Sequence, residues 1–117
     1  MPPLPPPPVP QKLREMLGGY PEHIVRLQEV MNHLAATSSV GVGLFERAVW
    51  LLEGRLDTFI SEARSEISAA QIDGDSERLA RANAMRAVFG KARMQLPGLL
   101  PDLQEYLAVR DEYGRSR

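Results

Sequence analysis

Residues 42–72, VGLFERAVWLLEGRLDTFISEARSEISAAQI, place apolar side chains at Phe45, Ala48, Val49, Leu52, Leu56, Phe59, Ile60, Ala63, Ile67 and Ala70. Spacings of three and four residues recur along this series and mark one face of an α-helix, and no period-two alternation interrupts them. The stretch predicts a single helix from Val42 to Ile72, roughly 45 Å long at the usual helical rise. Every other segment has to be arranged around an element of that length.

The stretch that follows, IDGDSERL (72–79), reads as the turn of a helical hairpin. Gly74 suits the left-handed conformation that ends a helix, and Asp75 suits the cap of the next one, where its carboxylate accepts free backbone N–H groups. The fourth helix is predicted from Ser76 to Met94, with Leu79, Ala82, Met85, Phe89, Ala92 and Leu96 as its stripe. Upstream, Pro10 opens a short helix that Gly18-Gly19 stops. Pro21 then opens a second, striped by Ile24, Leu27, Met31 and Leu34 and ending near Thr37 before the loop TSSVGVG. Beyond LPGLLP (96–101), Pro101 and Asp102 begin a fifth helix whose Leu103, Tyr106, Leu107 and Arg110 share a face.

The chain therefore reads as all-α: an elongated four- to five-helix bundle built on a long central helical hairpin, preceded by a polyproline leader. The fourth helix, about 28 Å, and the second, about 25 Å, are each too short to cover the third alone. The simplest packing sets the fourth on the C-terminal half of the third and the second on its N-terminal half, with the fifth in the remaining groove. Apolar seams so thinly covered by one chain lead us to expect self-association, as a homodimer in the simplest case.

Charge supports the same hairpin. Between Leu44 and Asp73 stand six acids (Glu46, Glu53, Asp57, Glu62, Glu66, Asp73) against three arginines; the fourth helix carries Arg78, Arg81, Arg86, Lys91 and Arg93 against Glu77 alone. Antiparallel pairing about Gly74 puts Glu62 level with Arg86 and Asp57 level with Lys91, so these two pairs are expected to fix register.

Composition excludes several functions. With 117 residues, 44% apolar and 25% charged, the chain has the make-up of one folded domain, expected over 10–114 between the leader (1–9) and a short tail (115–117). Fourteen Lys and Arg against fifteen Asp and Glu leave a net charge of −1, so no global field draws it to nucleic acid or anionic lipid. The absence of cysteine excludes disulfides, thiolate chemistry and Cys-type zinc sites, and fits a cytoplasmic setting. No apolar run approaches the roughly twenty residues that a membrane span requires.

No catalytic or cofactor motif stands against this background. Glu29 and His33 lie one helical turn apart, but a metal site needs three or four convergent ligands, and His23 lies well around the helix from them. The GVG of 41–43 lacks the preceding strand and the Lys-Ser/Thr ending of a phosphate loop. Ser38, Ser39 and His33 have nothing to orient them as a nucleophile and base, and Glu62 and Glu66 match a solvated face as well as a hydrolase pair. The five bases of the fourth helix scatter around its circumference instead of segregating as a groove-reading face would, which argues against nucleic acid. We therefore expect no enzyme, no cofactor and no bound metal.

Trp50 sits about 140° around the helix from Phe45, off the stripe and beside Glu46, Glu53 and Gly54. Residue tendencies favour its burial, within the fold or in the dimer; exposed, it would be a binding hot spot. Tyr20, Trp50 and Arg110 are the candidate protein-contact residues by type and placement. The leader PPLPPPPVP (2–10) favours polyproline II and contains PxxP spacings. We read it as a strap along the bundle through Leu4 and Val9 or as a solvated leader, ahead of a ligand for a proline-binding domain. The function expected is a non-enzymatic, self-associating protein–protein interaction module, with a small stoichiometric inhibitor of another protein as the alternative.

Overall fold

A computed structural model of the chain describes residues 6–37 and 44–107. Among these residues there is no strand. The elements are α1 (Gln11–Met16), α2 (Pro21–Thr37), α3 (Leu44–Asp73), α4 (Ser76–Gln95), a 3₁₀ turn (Leu96–Leu99) and α5, helical over 101–107. The fold is the expected all-α bundle on a long hairpin, with extents of 60 × 23 × 20 Å.

The hairpin closes as the sequence requires. Gly74 has φ +66°, the left-handed conformation that a Cβ would strain, and the Asp75 carboxylate accepts the Arg78 N–H at 3.0 Å to cap α4. Phe59 and Phe89, each fifteen residues from Gly74, meet with ring centroids 5.2 Å apart and are fully buried. Register is centred on the glycine.

The ion pairs along the hairpin are not the expected ones. Glu62 bonds Arg26 of α2 at 2.7 and 2.9 Å, not Arg86, and Asp57 bonds Arg93 at 3.1 Å, not Lys91. The level positions between the helices are filled by apolar side chains, so charges reach across diagonally from the flanks. Glu62 lies on the flank that α2 covers, whereas Asp57 lies on the opposite one, where Arg93 also bonds Glu53 at 2.8 Å. Nearer the tip, Arg78 takes both Glu66 and Asp73 at 2.7 Å.

Two regions follow along the long axis. The core gathers α1, α2, the N-terminal half of α3, the C-terminal half of α4, the 3₁₀ turn and α5 around Leu13, Leu27, Met31, Leu52, Leu56 and Leu103. LPGLLP, a break in the helical pattern, buries Leu96, Leu99 and Leu100. Beyond Phe59 and Phe89 only α3 and α4 continue, as a two-helix arm whose buried apolar residues are Ala63, Ala70 and Ala82. Alanines let the two helices approach closely, and they leave the arm without a core of its own.

At the junction, Tyr20 and His23 lie against Phe89 at centroid distances of 5.3 and 4.7 Å, and His23 stands edge-on to Phe59 at 4.8 Å. Arg26 holds its guanidinium 4.6 Å from the centre of the Phe59 ring while bonding Glu62. Burial among the rings, reinforced by the Arg26 cation, lowers the His23 pKa below the ordinary histidine value; the hydrogen bond from Arg26 lowers that of Glu62.

The described part of the leader is a strap. Val9 is 1% exposed, Pro7 and Pro10 are buried, and both backbone groups of Val9 are taken by side chains. Its N–H donates to Gln28 Oε1 at 3.0 Å and its carbonyl accepts from Arg14 Nε at 2.8 Å; Gln28 Nε2 donates to Pro7 O at 3.0 Å. Gln28 thus binds the strap as a neighbouring strand would, using one amide. Asp102 at the start of α5 accepts the Gln11 N–H at 3.0 Å, tying the beginning of α1 to the far end of the chain. The boundary expected between leader and helices is absent from the packing, because Val9 belongs to the core. Leu4, the other proposed anchor, lies outside the described residues.

Two predictions follow from the strap and the junction. Gln28→Ala leaves the Val9 N–H buried without its acceptor and should cost about 1–3 kcal/mol in urea unfolding. For His23 the depressed folded pKa means that the unfolded chain binds more protons as pH falls through about 6.5, so stability should be lower at pH 5.5 than at pH 8. Glu62 stays ionised across that window. The difference should shrink in His23→Gln, read by urea midpoints at the two pH values.

Candidate protein-binding face

The flank of the hairpin that α2 does not cover carries two rows of side chains at helical spacing. Trp50, Gly54, Asp57 and Arg64 follow each other along α3, and Ala87, Gly90 and Met94 along α4. Trp50 is 72% exposed and Met94 82%, so the expectation that the fold buries the tryptophan does not hold. The physical reason is the position of α2: it packs on the Phe59–Glu62 side and leaves the Trp50 side open.

Between the rows runs the ion network in which Arg93 bonds Glu53 and Asp57. One cleft, about 440 Å³, extends from Arg93 past Trp50 and Gly54 to Thr58 and to Val30 at the edge of α2; a second, about 380 Å³, is lined by Ile60, Arg64, Ala87, Gly90 and Met94. At the other end of the face a groove of about 420 Å³ lies between Phe45, Val49 and Pro97. The face thus combines exposed apolar side chains, shallow grooves and a neutralised centre.

Gly54 and Gly90 stand inside helices, where glycine costs about 0.8–1.0 kcal/mol relative to alanine. Neither is required by the fold. A Cβ built at either position meets nothing within 4 Å, and neither has a positive φ. Thr58 adds to the local weakness of α3 by donating its hydroxyl to Gly54 O at 3.0 Å. Each glycine lies one turn from an exposed apolar residue, Gly54 after Trp50 and Gly90 before Met94.

Of the other candidate contacts, Tyr20 is half-buried in the junction, and Arg110 lies outside the described residues. Met94 and the two glycines were not among the residues singled out by sequence. The signal that could have found them is helix-interior glycine placed off the apolar stripe. Among the described residues no three His, Asp or Glu side chains converge as a metal site, and no helix is long and apolar enough to cross a membrane. Comparison with protein families, with curated proteins and with solved structures finds no match to this chain.

Gly54→Ala should raise unfolding stability by about 0.5–1 kcal/mol, since it improves helix propensity and fills open space. Trp50→Ala, which removes an exposed side chain, should change it by less than about 0.5 kcal/mol. Equilibrium urea denaturation of the two variants, run dilute enough that the chain is monomeric, measures both.

Proposed function

We propose that this chain is a non-enzymatic helical protein–protein interaction module, and that it binds through the face bearing Trp50 and Met94. The observation that carries the reading is Trp50 exposed beside a helix-interior glycine that the fold itself does not need. Large rigid aromatics supply much of the energy of protein interfaces at low entropic cost, and a glycine beside one admits close approach of a partner backbone. Stability given up at such positions is the usual mark of a surface kept for function.

The charges support a protein partner over nucleic acid. Two of the five bases of α4, Arg78 and Arg93, are each held by two carboxylates. The remainder do not assemble into a phosphate-tracking stripe. Site-specific photo-cross-linking from positions 54 and 90 in cells tests the reading. Adducts with a polypeptide, either a second copy or a different protein, should form from both positions and be absent from position 22, exposed on α2 at the other flank of the hairpin. If positions 54 and 90 yield no more protein adduct than position 22, the face is not a protein-binding surface. An adduct with a single different protein would identify the stoichiometric-inhibitor form of this function.

A further inference from the structure

The partner that this face fits is decided by how its projections and recesses are distributed between the two helices. Arg93 bonds both Glu53 and Asp57, which sets residue 93 of α4 level with the turn of α3 between them. Met94 and Gly54, each twenty residues from Gly74, are therefore level, one on each helix. Trp50, four residues before Gly54, lies further from the tip, where α4 has given way to the 3₁₀ turn Leu96–Leu99. Met94, an exposed large side chain on one helix, is thus level with a glycine that has open space on the other.

A two-fold axis running along the hairpin, within the plane of contact, exchanges the two rows. It lays α3 of one copy over α4 of the other at the same level. Met94 then comes over the partner copy's glycine at position 54, and Trp50 over the groove between Phe45, Val49 and Pro97 in the partner copy. Each contact occurs twice, as an isologous interface requires.

Charge selects this orientation over the other two-fold arrangement. On the core half of this flank α3 contributes the acids Glu46, Glu53 and Asp57, with the base Arg64 only nearer the tip, while α4 contributes the bases Arg86, Lys91 and Arg93. Setting α3 over α3 and α4 over α4 would oppose like charges, which is destabilising across any interface. Setting α3 over α4 opposes unlike ones. Lys91 forms no ion pair with any described residue and, seventeen residues from Gly74 as Asp57 is, comes level with residue 57 of the partner copy in this arrangement.

We infer that the occupant of the Trp50–Met94 face is a second copy of this chain, docked with its α4 on α3 about a two-fold axis parallel to the hairpin. The inference rests on the protein-binding reading of the same face. It is tested with the full chain, which contains no cysteine and so accepts single reporters cleanly. Light scattering after size exclusion should give twice the 13.0 kDa chain mass, falling to the monomer in Trp50→Ala and in Gly54→Arg while circular dichroism stays helical. A mixture of Gly54→Cys and Met94→Cys chains should oxidise mainly to the mixed disulfide, in excess over either homodisulfide. A monomer at every accessible concentration overturns the second copy as occupant; adducts to a different protein from positions 54 and 90 would then still uphold the binding face. A dimer unchanged by Gly54→Arg, or one giving no excess of mixed disulfide, overturns the docking geometry. In that event the absence of any adduct from the face would remove the parent reading as well.

Discussion

The contact between Phe59 and Phe89 is the constraint on which the rest of the structure depends. It fixes how α3 and α4 lie against each other, and it forms the wall on which Tyr20 and His23 close the core. On one side of it the chain has enough Leu, Met and Phe to build a packed interior; on the other the fully buried side chains between the two helices are alanines. Replacing either ring would remove a large fully buried side chain, a change that usually costs about 3–5 kcal/mol. Arg26 reaches Glu62 across the face of Phe59, so that ring also supports the ion pair that joins α2 to α3.

The long hairpin was legible because three independent signals agree: an unbroken stripe on α3, a turn with glycine and aspartate in the right order, and rows of opposite charge on the two helices. Periodicity reports which side chains are apolar and share a face. It says less about which flank a third helix will choose. Sequence reasoning therefore placed Glu62 against Arg86 and Asp57 against Lys91 by their level along the hairpin, whereas lateral position decides the partner. Arg26 intervenes on one flank, and Arg93 reaches two acids on the other.

The same gap in information hid the exposed face. Trp50 stood out by residue type, but its exposure depends on which side of α3 is left bare, a property of the assembled helices. Met94, Gly54 and Gly90 were invisible singly, since methionine and glycine have many uses in helices. They acquire meaning only when the two rows stand side by side. The strap was partly legible: proline content predicts an extended segment, yet nothing in PPLPPPPVP points to Gln28, a polar residue of α2 that supplies both a donor and an acceptor to it.

That strap has a consequence for measurement. Among residues 5–10 only Val9 has a backbone N–H, because the other five are prolines. Detachment of this segment is therefore reported by hydrogen exchange at one amide, free of the averaging over neighbours that blurs exchange in ordinary segments. The rate at that position, compared with rates at core amides, separates local opening of the strap from global unfolding. A single resonance thus gives the free energy with which the segment holds to the helices.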